Sequence, residues 1–125
     1  MAVGGGKLVD AGKCIAHRLN CQVVIIPTLA SNDAPCSSIS VLYTSDGVKD
    51  LVEYFPQNPA FVIVDTEVIV NASERYLVAG MGDAMATWYE ARVCEDNPIT
   101  SNLVGCRPTL AASALSEKCA QTLFE

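Results

Sequence analysis

Three consecutive glycines, Gly4–Gly6, stand immediately before a segment of helical periodicity that extends to about Asn20. Glycine lets a backbone approach a pyrophosphate closely, and the N–H groups and dipole of a helix N-terminus favour an anion. Lys7 adds a full positive charge beside the glycines. A glycine-rich phosphate loop follows a strand, however, and only residues 1–3 precede this one. Two interpretations stay open: a phosphate-binding loop, and a flexible amino-terminal turn capped by a helix, which the glycines alone favour.

The runs of apolar residues that follow predict a helix and then strands. A continuous run at 23–26, closed by Pro27, is typical of a strand covered on both faces in a parallel sheet. A second such run occupies 60–64 and is closed by Asp65. Gly12 should destabilise the first helix by about 1 kcal/mol relative to alanine. Spacings of three and four in this helix predict one buried stripe, formed by Leu8, Ala11, Ile15 and Leu19.

A hairpin signal separates these two strands. Segments 39–43 and 48–55 flank the turn at 44–47, whose Asp-Gly step favours a tight connection between β-prone segments. The order of helix, strand, hairpin and strand has α/β character. We therefore predict that residues 1–71 form the carboxyl-terminal half of a Rossmann-like nucleotide-binding domain that carries a β-hairpin.

From about residue 72 the pattern becomes helical. Ser73 can cap a helix that covers 76–94, and Pro98 with the polar stretch through Asn102 ends it. Pro108 opens a last helix, since proline suits a first turn in which its missing N–H would be unpaired anyway. The apolar face of that helix is formed by Leu110, Ala114, Leu115 and Cys119. Residues 72–125 are thus predicted as the first helices of an all-α domain.

Composition excludes several classes of partner. The net charge of -6 argues against nucleic acid, whose phosphates require clustered lysine and arginine. No apolar run approaches the roughly 18 residues typical of a membrane span. The six cysteines are unevenly spaced and form no C-x-x-C pair, which predicts reduced thiols and a cytoplasmic protein. Because His17 is the only histidine, a complete metal site within the chain is not expected.

Two further segments could carry chemistry. Thr28, Ser31 and Asp33 follow the strand at 23–26, at the end where open α/β sheets bind ligands. They could contact a ribose, a nicotinamide or a diol, or they could make local turns. Asp83 lies among small and apolar residues, where a carboxylate must be paired, hydrogen-bonded or bound to a metal. The alternative for Asp83 is an ordinary helix cap.

Three stretches together resemble, in order and spacing, the iron-containing alcohol dehydrogenase superfamily and its glycerol dehydrogenases in particular. GGGKLVDAGK resembles the phosphate loop of that family. IIPTLASNDAPCSSISVLY is similar to its strand, substrate loop and hairpin, and VAGMGDAMATWYEARVC to the helix that supplies a metal-binding aspartate. The resemblance extends across essentially the whole chain but covers only a minority of a family enzyme. Both ends of the chain are therefore expected to be cuts within a longer protein.

The resemblance implies a set of roles for individual residues. It implies NAD as cofactor, with Asp33 on glycerol or a similar small diol and Asp83 as one zinc ligand. In such enzymes the metal acts as a Lewis acid on the substrate hydroxyl and promotes hydride transfer to the nicotinamide. The residues implied along the pyrophosphate are Gly5, Gly6, Lys7 and Asp10. Those implied along the rest of the dinucleotide are Thr28, Ser31, Ser37, Ile39 and Tyr43.

The departures from the family pattern shape the functional expectation. Relatives that use a glycerol phosphate carry Asp-Gly where this chain has Asp33-Ala34-Pro35, which favours a free diol. Leu8 stands where a small hydroxyl residue is frequent, and Asn32 where threonine is common. The two family histidines that complete the zinc site lie beyond the last residue, and a catalytic zinc needs about three protein ligands. We therefore expect a chain that is inactive alone; the alternative is a non-catalytic module that binds nucleotide or anion, or that self-associates.

Overall fold

The computed structural model describes residues 1–97, 99 and 105–125. It divides into two compact units, Met1–Gly80 and Met81–Glu125. The division falls within one helix, so the domain boundary predicted after residue 71 stays a prediction. The strands are β1 (Ala2–Gly4), β2 (Val24–Pro27), β3 (Ile39–Tyr43), β4 (Lys49–Tyr54) and β5 (Phe61–Val62). The α-helices are α1 (Gly6–Arg18), α2 (Thr66–Val70), α3 (Glu74–Asp96) and α4 (Leu110–Thr122), and a short 3₁₀ helix covers Ala34–Cys36.

A three-stranded parallel sheet forms the centre of the first unit. Strand β2 lies between β1 and β5, with Ile25 opposite both Ala2 and Val62. The expectation that no strand precedes the glycines is wrong, since three residues pair with β2 and the N–H of Thr28 donates to the Gly4 carbonyl at 3.2 Å. Strand β1 is stable despite its length because each of its three residues pairs with a residue of β2. A strand, a glycine loop and a helix therefore follow one another, as a phosphate loop requires.

The strands differ in extent from the apolar runs that predicted them. Strand β2 begins one residue later than expected and includes Pro27, which pairs with Gly4. The regular part of β5 is only two residues long, although the N–H groups of Ala60 and Ile63 donate to the carbonyls of Val23 and Ile25, each at 2.9 Å. Strand β2 is the central strand of the sheet, so it has a neighbour on each side.

Helix α1 buries a different face from the predicted one. Leu8, Ile15 and Leu19 are 58–70% exposed, so the predicted apolar stripe faces solvent. The face turned to the sheet is displaced by one residue, about 100° around the helix. It carries a charged pair, whose polar partners on neighbouring segments make burial tolerable, so hydrophobic periodicity misleads here. The buried residues of α1 are Val9, Asp10, Lys13, Cys14 and Ala16.

Close contact between α1 and β1 explains the glycine inside the helix. A Cβ atom at Gly12 would lie 2.3 Å from the Cβ of Ala2, far inside normal contact. Ala2 belongs to the core cluster with Val9 and Ile25, the last two fully buried. The helix can therefore lie against the sheet at this distance only without a side chain at position 12.

The predicted hairpin is confirmed. Strands β3 and β4 are antiparallel, with Ile39 opposite Tyr54 and an irregularity between Leu42 and Tyr43. Gly47 closes the turn with φ of 80°, a left-handed conformation suited to glycine. Arg18 of α1 donates to the Glu53 carboxylate of β4, and this bond raises the pKa of the guanidinium, with a smaller contribution from Cys14. With the parallel sheet and the helices, the α/β class expected from the sequence is confirmed.

Helices α2 and α4 each begin at a side chain that accepts a hydrogen bond from the first turn. Asp65 caps α2 by accepting from the N–H of Glu67 at 2.9 Å. We expected Pro108 to open the last helix, but the cap is Thr109, whose hydroxyl accepts from the N–H of Ala112 at 3.1 Å. The helix begins after Thr109 because its hydroxyl accepts a hydrogen bond from an N–H group of the first turn, which the proline one position earlier cannot do. The breaker predicted at Pro98 through Asn102 falls on residues outside the described part, Ile99 excepted.

The guanidinium of Arg107 stabilises the second unit through hydrogen bonds to backbone carbonyls. Arg107 donates to the carbonyls of Cys94, Glu95 and Asn97, which satisfies the carboxyl end of α3. The predicted apolar face of α4 is exposed, with Leu110 at 92% and Leu115 at 72%. Among the described residues, no helix is both long and apolar enough to cross a bilayer.

We predict that Gly12→Ala destabilises the protein by about 1–2 kcal/mol, although alanine favours a helix, because its methyl group would collide with Ala2. Urea denaturation would measure the change. Gly82→Ala is the matched control, since nothing lies within 4 Å of a Cβ at that helical glycine, and it should stabilise by about 0.5–1 kcal/mol. Recovery of stability in Ala2→Gly/Gly12→Ala would locate the collision, and a neutral Gly12→Ala would contradict the packing described.

We also predict that the isolated 125-residue chain self-associates. In the described chain β1 and β5 are the outer strands of the sheet. Val3, Phe61 and Ile63, on or beside these strands, are 52–65% exposed. Unpaired edges beside apolar surface favour pairing with other chains. Light scattering after gel filtration should show a mass that rises with concentration, whereas a monomer with one cooperative unfolding transition would refute the prediction.

Candidate functional site

The glycine loop is shaped to bring backbone N–H groups to an open surface. Gly4 has φ of 147°, and a Cβ there would lie 2.5 Å from Leu8, so only glycine fits. Gly5 is the N-cap of α1 and has no side chain with which to accept from the first turn. That turn contains no acidic residue, while His17 and Arg18 occupy the last turn. The positive end of the helix dipole therefore meets no capping side chain or negative charge of its own first turn.

A cleft of about 560 Å³ opens at this helix end. Six of the residues implied by the family resemblance line it together. These are Gly5, Gly6, Lys7, Asp10, Ser31 and Tyr43. Four lining residues were not predicted as site residues, namely Leu8, Leu29, Asn32 and Tyr76. The cleft thus joins the start of α1, the segment after β2, the end of β3 and the start of α3.

Lys7 and Tyr43 make contact across this cleft. The Lys7 ammonium lies 5.7 Å from the centre of the Tyr43 ring, within the range of a cation–π interaction. Both side chains are exposed, so the charge remains available to a ligand. The contact places a cation beside the uncapped N–H groups of α1. An anionic group with an adjacent planar ring is the ligand chemistry that such a pair favours.

Two glycines set the walls of the cleft. A Cβ at Gly6 would lie 2.8 Å from the amide nitrogen of Asn32, so the segment after β2 approaches the glycine loop closely. A Cβ at Gly80 would lie 2.1 Å from the carbonyl oxygen of Ala30, so the first turns of α3 rest directly on the same segment. Tyr76 reaches the cleft for this reason. Its role could not be inferred from local sequence, although a glycine inside a long helix signalled a close approach.

A buried ion pair lies below the cleft on α1. Asp10 and Lys13 are 7% and 3% exposed, and Asp10 Oδ1 lies 3.0 Å from Lys13 Nζ. The alignment at Oδ1 is too poor for a hydrogen bond, so the two groups attract as charges while this oxygen lacks a hydrogen-bond donor among the described residues. Asp10 Oδ2 accepts from the N–H of Val41 at 3.4 Å. The pair connects the helix that begins at the cleft with strand β3.

Four predicted residues of the first unit are not among the lining residues of the cleft. Thr28 is half-buried directly after β2, and Asp33 is exposed at the start of the 3₁₀ helix. Ser37 Oγ and the Ile39 carbonyl are both within hydrogen-bonding reach of the Lys13 ammonium. The contacts described for these last two are internal to the protein.

Asp83 belongs to the second unit. It is half-buried on α3, and its carbonyl accepts from the hydroxyl of Thr87 at 3.2 Å. Across the residues that the structure describes, no group of three or more histidine, cysteine, aspartate or glutamate side chains could hold a metal ion. A zinc site built from the described residues would therefore be incomplete.

A second groove, of about 320 Å³, lies at the carboxyl end of α1. His17 and Phe55 line it with ring centres 5.1 Å apart. Asn20, Gln22, Gln57 and Asn58 contribute amide groups. It contains no helix N-terminus, and its only lysine, Lys13, is engaged with the Ala34 and Ile39 carbonyls. It therefore lacks the features that would attract a phosphate.

Comparison with known proteins connects this geometry to one family. The chain is 46% identical to a glycerol dehydrogenase of Thermotoga maritima and 48% identical to one of Escherichia coli O6:H1, in each case over 100% of the chain and 34% of the relative. The structure superposes with a TM-score of 0.90 on a probable glycerol dehydrogenase of Sinorhizobium meliloti, at 43% identity, covering 98% of this chain and 34% of that one. The chain thus spans about a third of the length of these relatives.

The match to a family as a whole covers all the lining residues of the cleft except Tyr76. Residues 1–73 match the iron-containing alcohol dehydrogenases, and they include the glycine loop, the parallel sheet and the hairpin. The resemblance noted in the sequence is therefore confirmed. The chain belongs to the iron-containing alcohol dehydrogenase family.

Proposed function

We propose that this chain is the dinucleotide-binding portion of an NAD-dependent glycerol dehydrogenase, in a cytoplasmic enzyme. One observation carries the proposal: an N-terminus of α1 without a side-chain cap opens into a cleft beside the exposed ammonium of Lys7. Backbone N–H groups, a helix dipole and a lysine together suit a pyrophosphate. The glycines leave the approach free of side chains. Similarity to glycerol dehydrogenases over the whole chain supports the same assignment.

The remaining cleft residues suit the ribose and nicotinamide part of the dinucleotide. Ser31 can exchange hydrogen bonds with hydroxyl or amide groups, and Tyr43 offers an aromatic face beside Lys7. Thr28, Ser37 and Ile39 border this side and are assigned to the same part of the cofactor. Asp33, exposed after the cleft-lining segment, is assigned to a hydroxyl of glycerol or a similar diol. When bound, NAD would accept the hydride from the substrate carbon.

The described residues do not complete a binding site for the metal. Asp83 is assigned as one zinc ligand, by its place in the helix that resembles the metal-binding helix of the family. One carboxylate falls short of the three protein ligands usual in catalytic zinc sites. No reaction step can therefore be assigned through zinc in this chain. We therefore propose that the chain binds the dinucleotide but does not oxidise glycerol.

We predict that NAD binds the purified chain and that Lys7→Met weakens binding about tenfold, since a charge-assisted contact to phosphate contributes about 1.5 kcal/mol. Titration calorimetry would measure both affinities in low salt. Lys118→Met is the matched control, because Lys118 is an exposed lysine whose ion-pair partner, Glu125, is in the second unit. Equal affinities for parent chain and Lys7→Met would contradict the placement of the pyrophosphate.

Calorimetry with inorganic pyrophosphate in place of NAD separates the two functional alternatives. A nucleotide-binding portion of a dehydrogenase should prefer NAD, because Ser31 and Tyr43 would contact its sugar and ring. A simple anion-binding module should bind both ligands equally. Equal binding would favour the non-catalytic alternative and overturn the assignment of those two residues.

We predict no glycerol-dependent formation of NADH by the pure chain, with or without added zinc. The physical reason is the incomplete donor set among the described residues. Absorbance at the NADH band would be followed with a full-length relative as the positive control. Turnover above the background of the assay would refute the proposed division of labour between this chain and the rest of the enzyme.

A further inference from the structure

We propose that Lys13 is a positioning residue for the dinucleotide cleft, which it shapes without lining it. The inference rests on the proposed function, since it concerns the same cleft. Lys13 is 3% exposed, and it is not among the lining residues of the cleft. Its ammonium instead contacts the segment that runs from the cleft to β3. Lys13 is the last residue of GGGKLVDAGK, the stretch that resembles the family's phosphate loop, but the resemblance implied no contact for it.

The contacts of the Lys13 ammonium join three separate parts of the chain. It donates to the carbonyls of Ala34, at 2.9 Å, and Ile39, and it lies 3.0 Å from the carboxylate of Asp10. The carbonyl and hydroxyl of Ser37 are each 3.4 Å away. An ammonium has three N–H donors; the carbonyls of Ala34 and Ile39 accept hydrogen bonds from it, and the Asp10 carboxylate attracts it as a charge. The 3₁₀ turn and the first residue of β3 are thereby tied to the middle of α1.

Asp10 extends the same connection to the hairpin. Its Oδ2 accepts from the N–H of Val41, and its carbonyl accepts from the fully buried hydroxyl of Ser40 at 3.0 Å. Helix α1 begins in the cleft, and β3 ends at Tyr43, which lines the opposite side. The Asp10–Lys13 pair therefore sets the distance between the glycine loop and Tyr43. It also fixes one end of the segment that carries Ser31.

The physics of buried charges favours a positioning role over a purely stabilising one. The free energy needed to desolvate two charges offsets much of the free energy gained from their attraction. Replacing a whole buried pair by apolar residues is therefore often neutral for stability. What a buried pair can supply is one defined arrangement, because carbonyls and a carboxylate must converge on the same ammonium. Here the arrangement specified is that of the segment bordering the cleft. Ligand affinity depends on holding such groups to within about 0.5 Å.

The first test compares Lys13→Met with the parent chain in two measurements. Binding of NADH, followed by its fluorescence, should weaken about tenfold, because the wall of the cleft is no longer held in place. Amide hydrogen exchange should rise at Cys36 and Val41, while amides of α4 stay unchanged. Lys118→Met is the control in both measurements. Lys7→Met is the contrast, since it should weaken NADH binding without changing exchange at Cys36 or Val41.

A double variant keeps the proposal testable if Lys13→Met folds poorly around a bare Asp10. Asp10→Asn/Lys13→Met contains no buried charge, and circular dichroism would verify that it folds. It should bind NADH about tenfold more weakly than Asp10→Asn alone. Equal binding by these two variants would mean that Lys13 only neutralises Asp10, and the positioning role would be refuted. Unchanged exchange at Cys36 and Val41 in Lys13→Met would refute it as well.

The design separates failure of this inference from failure of the proposed function. A parent chain that does not bind NADH would refute the proposed function, and the exchange measurement would still show whether Lys13 holds the segment. A parent chain that binds NADH, with Lys13→Met binding equally well, would refute the inference alone. Raised exchange together with weakened binding, in a folded variant, is the result that the proposal requires.

Discussion

Parallel pairing of three residues, Ala2–Gly4, with β2 determines where α1 begins and therefore where the cleft lies. The strand ends at a glycine whose φ of 147° turns the chain, and the helix starts two residues later. Gly12 then lets the helix lie against Ala2 at a distance that no larger residue allows. Because α1 is fixed both at the glycine turn and at Gly12, the N–H groups of its first turn are directed to the cleft. The anion binding that we propose would thus be a consequence of how the helix packs.

The buried pair on α1 gives the same helix a second role. Through Asp10 and Lys13 it holds the segment after β2 and the first residues of β3, both of which border the cleft. In the proposed function, one helix would supply the dipole for a phosphate and the scaffold for the groups assigned to the rest of the dinucleotide. Charges placed on the inner face of a helix would be a defect in a simple apolar core. Here Lys13 donates to carbonyls, and Asp10 Oδ2 accepts from an amide, of the segments that the pair contacts.

Local patterns predicted most of the elements, and the family resemblance named six of the ten residues that line the cleft. The Asp46-Gly47 turn, the run at 23–26 and the long periodic segment of α3 each gave an element of the correct type, because their signals are local. The buried face of α1 was mispredicted, since Leu8 and Ile15 are as apolar as core residues, while the carbonyls that accept from Lys13 lie more than 20 residues away in sequence. Tyr76 was missed for a similar reason, as only the approach of α3 to Ala30 brings it to the cleft. Long-range contacts of this kind leave no periodic trace.

The account depends on an anion at the start of α1, and a titration of the labelled chain with NAD, followed by ¹H–¹⁵N correlation spectra, tests this most directly. The account predicts saturable shifts that are largest at the amides of Gly5, Gly6 and Lys7, with smaller ones at Ser31 and Tyr43. Inorganic phosphate should shift the first three amides and leave the last two. Shifts concentrated at His17, Gln57 and Asn58 in the second groove would contradict the account, and so would spectra that NAD does not change.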